Sequence, residues 1–99
     1  MANLDVYKNP DGPGYLLDIQ ADLLNHLNVR VVVPLLPQEM SPQPARRLNP
    51  IYSICSQDCV MLTQFISSVP ANILETRVAS LSDYHSEILD AIDMLLSGF

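Results

Sequence analysis

A chain of 99 residues holds one domain with a modest core, which excludes a two-domain enzyme. Eleven acidic residues against five Lys and Arg set the formal charge at −6, and no basic run exceeds Arg46-Arg47, so a surface built to bind nucleic-acid phosphates is excluded. With 48% hydrophobic and 16% charged residues the sequence is too apolar for a disordered protein, and a domain this small gains from a partner subunit.

The stretch from Met1 to Lys8 has no basic region leading into an apolar one, so no signal peptide is read there. The longest apolar run, Val31 to Leu36, contains Pro34 and falls far short of the ~18 residues that mark a membrane span. A cytoplasmic protein with no membrane partner is expected. Leu4-Asp5-Val6-Tyr7 alternates apolar and polar, residues 9–14 (Asn-Pro-Asp-Gly-Pro-Gly) are a dense turn signal, and residues 15–20 resume extended character. A hairpin is predicted. Residues 22–28 fit either one helical turn, through Leu23, Leu24 and Leu27, or a strand end plus turn, and the latter is preferred. Arg30 to Leu35 is β-branched through its centre and reads as a buried third strand that stops at Pro34.

Five of the eight prolines, Pro34, Pro37, Pro42, Pro44 and Pro50, crowd residues 34–50, where missing amide donors and fixed φ angles disfavour helix and central strand alike. An irregular arm is predicted there. Residues 51–55 and 59–63 then flank the polar loop Ser56-Gln57-Asp58 as a second hairpin. Residues 67–70 are expected to leave the sheet, and residues 72–78 to supply one more short strand. The last segment is the clearest helix: Ser82 as N-cap, Asp83 at the positive dipole end, and Tyr84, Ile88, Ile92 and Leu95 at helical spacing, with Gly98 to end it. Ser86, Asp90, Asp93 and Ser97 share the opposite face. The architecture expected from these elements is a small, mainly antiparallel barrel or curled sheet with one C-terminal helix.

Residues for catalysis are sparse. Ser82, Asp83 and His85 cannot form a triad, because neighbouring helix positions point to different faces. His26 reads as a turn residue, and Gly12 and Gly14 lie in a turn without the following helix that a phosphate loop needs. Cys55 and Cys59 stand without companion ligands, so no metal or cofactor is expected; they are either ordinary strand-end thiols or a cross-strand pair formed on oxidation. Asp90 and Asp93 sit toward the negative end of the helix dipole, where acids cost about 0.3–1 kcal/mol, so either a partner prefers acid there or the face is simply solvated. Phe99 either folds back on the last helical turn or is offered to another protein.

Several strings, in shared order and spacing, resemble the CcdB family of toxins. They are Val6-Tyr7, Asp18-Ile19-Gln20-Ala21-Asp22-Leu23-Leu24, Arg30-Val31-Val32-Val33-Pro34-Leu35, Leu48-Asn49-Pro50, Met61-Leu62-Thr63, Ser68-Val69-Pro70, and Ala91-Ile92-Asp93 through Gly98-Phe99. The resemblance implies a single toxin domain over residues 1–99, mainly β with one C-terminal α-helix, an SH3-like small barrel of antiparallel strands assembled as a homodimer. It further implies a non-enzymatic toxin that binds the A subunit of DNA gyrase and traps the enzyme on cleaved DNA, neutralised by a CcdA-type antitoxin. Carried over by position, the gyrase-binding residues are Leu23, Leu24, Asp93, Leu96, Ser97, Gly98 and Phe99. The best-known member ends Trp-Gly-Ile, where this chain ends Ser97-Gly98-Phe99, so the aromatic anchor of the tail has shifted or been lost. A second reading is an endoribonuclease of the MazF type, which shares the barrel; it requires a basic groove and a catalytic Arg paired with a polar residue, whereas Arg30, Arg46, Arg47 and Arg77 are scattered and the charge is −6. A third is a non-toxic homologue that still binds antitoxin.

Overall fold

Asn9 and Gly14 close the first hairpin in the computed structural model, which describes residues 3–98. Strands β1 (Asp5–Lys8) and β2 (Tyr15–Asp18) pair antiparallel with Val6 opposite Leu17. The Asn9 N–H donates to the Gly14 carbonyl at 3.2 Å, and the Asn9 side chain caps the Asp11 N–H at 3.0 Å. Gly14 is required here: its φ is +83°, and a Cβ would collide with the Leu35 carbonyl.

Strand β3 runs from Val29 to Pro37 and does not stop at Pro34. The physical reason lies in its partners. On one side β3 pairs with β2; on the other, residues 29–32 pair with β6 (Ser67–Pro70) and residues 35–37 with β5 (Gln57–Met61). Pro34 falls in the gap between β6 and β5, and a strand residue's N–H and C=O point to the same side, so the missing donor costs no ladder bond while the Pro34 carbonyl accepts from Leu62 N–H at 2.9 Å. Residues 67–70 therefore stay in the sheet, contrary to expectation.

Strand β4 (Ile51–Ile54) pairs with β5 through a two-residue turn, not the three-residue loop read from the sequence. Cys55 and Ser56 both have positive φ, +51° and +66°, the twist that a two-residue hairpin needs. The last strand, β7 (Arg77–Ser80), is displaced toward the C-terminus from the expected 72–78 because residues Ala71–Ile73 form a 3-10 turn. The sheet order β4-β5-β3-β2-β1-β7 makes a curled antiparallel half-barrel, with β6 beside β5 on the far side of β3. The proline-rich arm is irregular beyond a 3-10 turn at Gln38–Met40, and Asn49 pins it by donating to the Met61 carbonyl at 3.0 Å and accepting from Ala45 N–H at 2.9 Å.

Helix α1 (His85–Ser97) is preceded by a 3-10 turn at Ser82–Tyr84, so Ser82 is not its N-cap; its N–H is taken by the Ser80 hydroxyl at 3.3 Å. Ile88 and Ala91 enter a core with Leu4, Val6, Leu17, Val33, Leu35, Ile54, Met61 and Leu81. Full burial of each large aliphatic side chain is worth about 1.5–3 kcal/mol. Tyr84 faces solvent more than its spacing implied, because it ends the 3-10 turn and lies outside the α-helical register; its ring meets Tyr52 at a centroid distance of 4.9 Å.

Candidate partner-binding surface

Residues 22–24 form a 3-10 turn and not a strand end, since Leu24 N–H closes on the Ala21 carbonyl at 2.9 Å. That turn holds Leu23 88% exposed and Leu24 42% exposed, with Leu27 and Val29 also open to solvent. Exposed apolar side chains grouped in this way are a mark of an interaction surface.

The second part of the expected surface is the end of α1. Leu96 is 74% exposed, and Asp93, Ser97 and Gly98 are exposed beside it. Gly98 adopts φ +79° and returns its N–H to the Met94 carbonyl at 3.0 Å, a left-handed cap as predicted. The Ser97 hydroxyl donates to the Asp93 carbonyl at 2.8 Å, so it serves its own helix. Phe99 lies outside the described residues.

A groove of about 340 Å³ lies between α1 and the segment that precedes the turn, and Leu23, Leu24, Asp93 and Leu96 do not line it. Ala21 and Asp22, just before Leu23, line one side, and Ile88, Leu89 and Ile92, leading up to Asp93, line the other. Leu89, 46% exposed, was missed from the sequence although an apolar residue among Ser86, Asp90 and Asp93 breaks the polar face and could have marked it. Glu87, Asp90 and Asp93 make α1 acidic, with Glu87 and Asp90 on the side that faces Pro50 and Ile51 and away from the groove, and the last turn carries no base to offset them.

Beneath the turn lies a buried polar cluster. Asp18 and Arg30 are sealed from solvent, and Oδ2 of Asp18 accepts from Arg30 Nη2 at 2.6 Å and Nε at 3.0 Å. Burial pushes the Asp18 carboxyl above its ordinary range, while the guanidinium and the Gln20 N–H pull it down. On the opposite edge of the helix, Tyr52 donates its hydroxyl proton to Glu87 at 2.6 Å, and burial together with that carboxylate pushes the phenol far up.

Among the described residues, the arginines do not gather into a basic groove. Arg30 is consumed by Asp18, Arg77 pairs with Asp5 at 3.0 Å, and Arg46 and Arg47 lie exposed on the arm. His85 lines the groove, and His26 lies on the exposed turn. Cys55 is exposed in the hairpin turn and Cys59 is buried opposite Tyr52; both are free thiols. Among the described residues, no three His, Cys, Asp or Glu side chains gather as metal ligands, and no helix is long and apolar enough to cross a membrane.

A family model described as "CcdB protein" matches residues 3–98. The chain belongs to the CcdB family. CcdB proteins are the toxin halves of toxin–antitoxin pairs and are not catalytic enzymes by themselves. The curled sheet with a single C-terminal helix is the fold expected of a CcdB protein.

Proposed function

We propose that this chain poisons DNA gyrase by binding its A subunit through Leu23, Leu24, Asp93, Leu96, Ser97, Gly98 and Phe99, trapping the enzyme on cleaved DNA. It acts in the cytoplasm as a homodimeric domain and is neutralised by a CcdA-type antitoxin. The observation that carries this reading is the exposure of Leu23 in its turn and of Leu96 in the last turn of the acidic α1, in a chain of the CcdB family. Apolar anchors give a protein contact its affinity, and acidic groups speed encounter with a basic, DNA-handling partner. The charge of −6 suits attack on the enzyme and not on the DNA.

Deleting Ser97-Gly98-Phe99 tests the proposal. The truncated protein is expected to keep its circular dichroism spectrum and melting temperature while losing growth arrest and binding to a purified gyrase A fragment. Undiminished growth arrest would overturn it.

A further inference from the structure

Residues 21–29 include no buried side chain, so apolar packing does not hold the exposed turn in shape. Polar side chains rooted in the core do. Gln20, itself buried, donates its amide to the Leu24 and Val29 carbonyls, each at 3.1 Å, and accepts from Val31 N–H at 3.0 Å. That fixes both ends of the segment. The middle is fixed by Arg30. Its Nε and Nη2 are locked on Asp18, which leaves Nη1 at a set position, 2.6 Å from Oδ1 of Asn25. Asn3 adds a bond from its N–H to Asp22 Oδ1 at 2.7 Å.

We infer that Asn25 is a positioning residue: through its bond to the buried Arg30 guanidinium it keeps the Leu23-Leu24 turn in one conformation ready for a partner. The inference rests on the proposed gyrase-binding surface and deepens it. Asn25 touches no partner in this scheme. It acts by raising the fraction of molecules whose turn is already in the binding-competent shape, and apparent affinity falls in proportion to that fraction. Unlike Asp18, Gln20 and Arg30, Asn25 is exposed, so it can be changed without opening the core.

The test compares full-length wild type, Asn25→Ala and Asn25→Asp. Asn25→Ala is expected to keep the native melting temperature, to exchange the amide hydrogens of residues 22–28 about tenfold faster, and to bind a gyrase A fragment about tenfold more weakly. Asn25→Asp keeps the acceptor for Arg30 and restores both. Unchanged exchange in Asn25→Ala, faster exchange without weaker binding, or a defect that Asn25→Asp fails to restore would each overturn the inference. Should wild type itself not bind the gyrase fragment, the gyrase reading fails, whereas the exchange comparison still decides whether Asn25 fixes the turn.

Discussion

Arg30 and Asp18 meet at 2.6 Å with neither side chain reaching solvent. A buried pair of this kind is costly to break, because removal of one member strands the charge of the other. Arg30→Met is therefore expected to destabilise the protein by about 3–5 kcal/mol at neutral pH. Loss of the guanidinium removes the main influence that lowers the Asp18 carboxyl, so the variant's folded state holds the Asp18 proton more tightly than the unfolded chain does. Stability gained from that proton is present at low pH and lost as pH rises, so the penalty should shrink on acidification toward about pH 4. Urea unfolding of variant and wild type at several pH values measures this; a penalty independent of pH would refute it.

The tyrosines predict an alkaline limb. Burial raises the phenols of Tyr7, Tyr15 and Tyr52, and Glu87 raises Tyr52 further. A raised folded-state pKa means that stability is intact below about pH 10 and falls above it, with a slope of up to about 1.4 kcal/mol per pH unit for each tyrosine. Tyr52→Phe should flatten that slope by one group, at a cost of about 1 kcal/mol at neutral pH for the lost bond to Glu87. Thermal melts from pH 8 to 11 would show it.

The Cys55-Ser56 turn carries two left-handed residues without a glycine. Replacing it by Asn-Gly, the pair best suited to such a turn, should stabilise the protein by about 0.5–1 kcal/mol. A melting temperature that falls would contradict this assignment of strain.

Asp93 sets stability against binding. Asp93→Lys places a favourable charge at the helix C-terminus and should stabilise the fold by about 0.3–1 kcal/mol. The same change should weaken gyrase A binding and growth arrest, with Leu96→Ala expected to weaken binding by at least about tenfold while leaving stability within about 0.5 kcal/mol. If Asp93→Lys stabilises and binds unchanged, the acid is only a solvated surface residue.

What the sequence made legible was mostly local. Asn9 to Gly14 announced a hairpin, and Gly98 announced the helix end, because each requires a backbone conformation that few residues allow. Pro34 misled for the opposite reason: a missing N–H ends a strand only where a partner would have used it, and the gap between β6 and β5 is a property of three strands at once. Ser67 to Pro70 has little apolar pattern, so its place on β3 follows from partners distant in sequence. At the candidate site, the exposed Leu23 and Leu96 came from resemblance. The network through Gln20, Arg30 and Asn25 could not be read, since hydrogen-bond geometry leaves no periodic trace in a chain.

The pairing of β1 with β7 has a kinetic consequence. These strands lie about 70 residues apart in sequence, whereas β1 with β2 and β4 with β5 are joined by short turns. The two hairpins join residues close in sequence, whereas α1 follows β7 and shares its core with Val6 and Leu17 from the opposite end of the chain. During synthesis the Leu23 turn therefore leaves the ribosome well before Asp93 and Leu96 do, and the groove between residues 21–22 and α1 exists only once the last helix has docked.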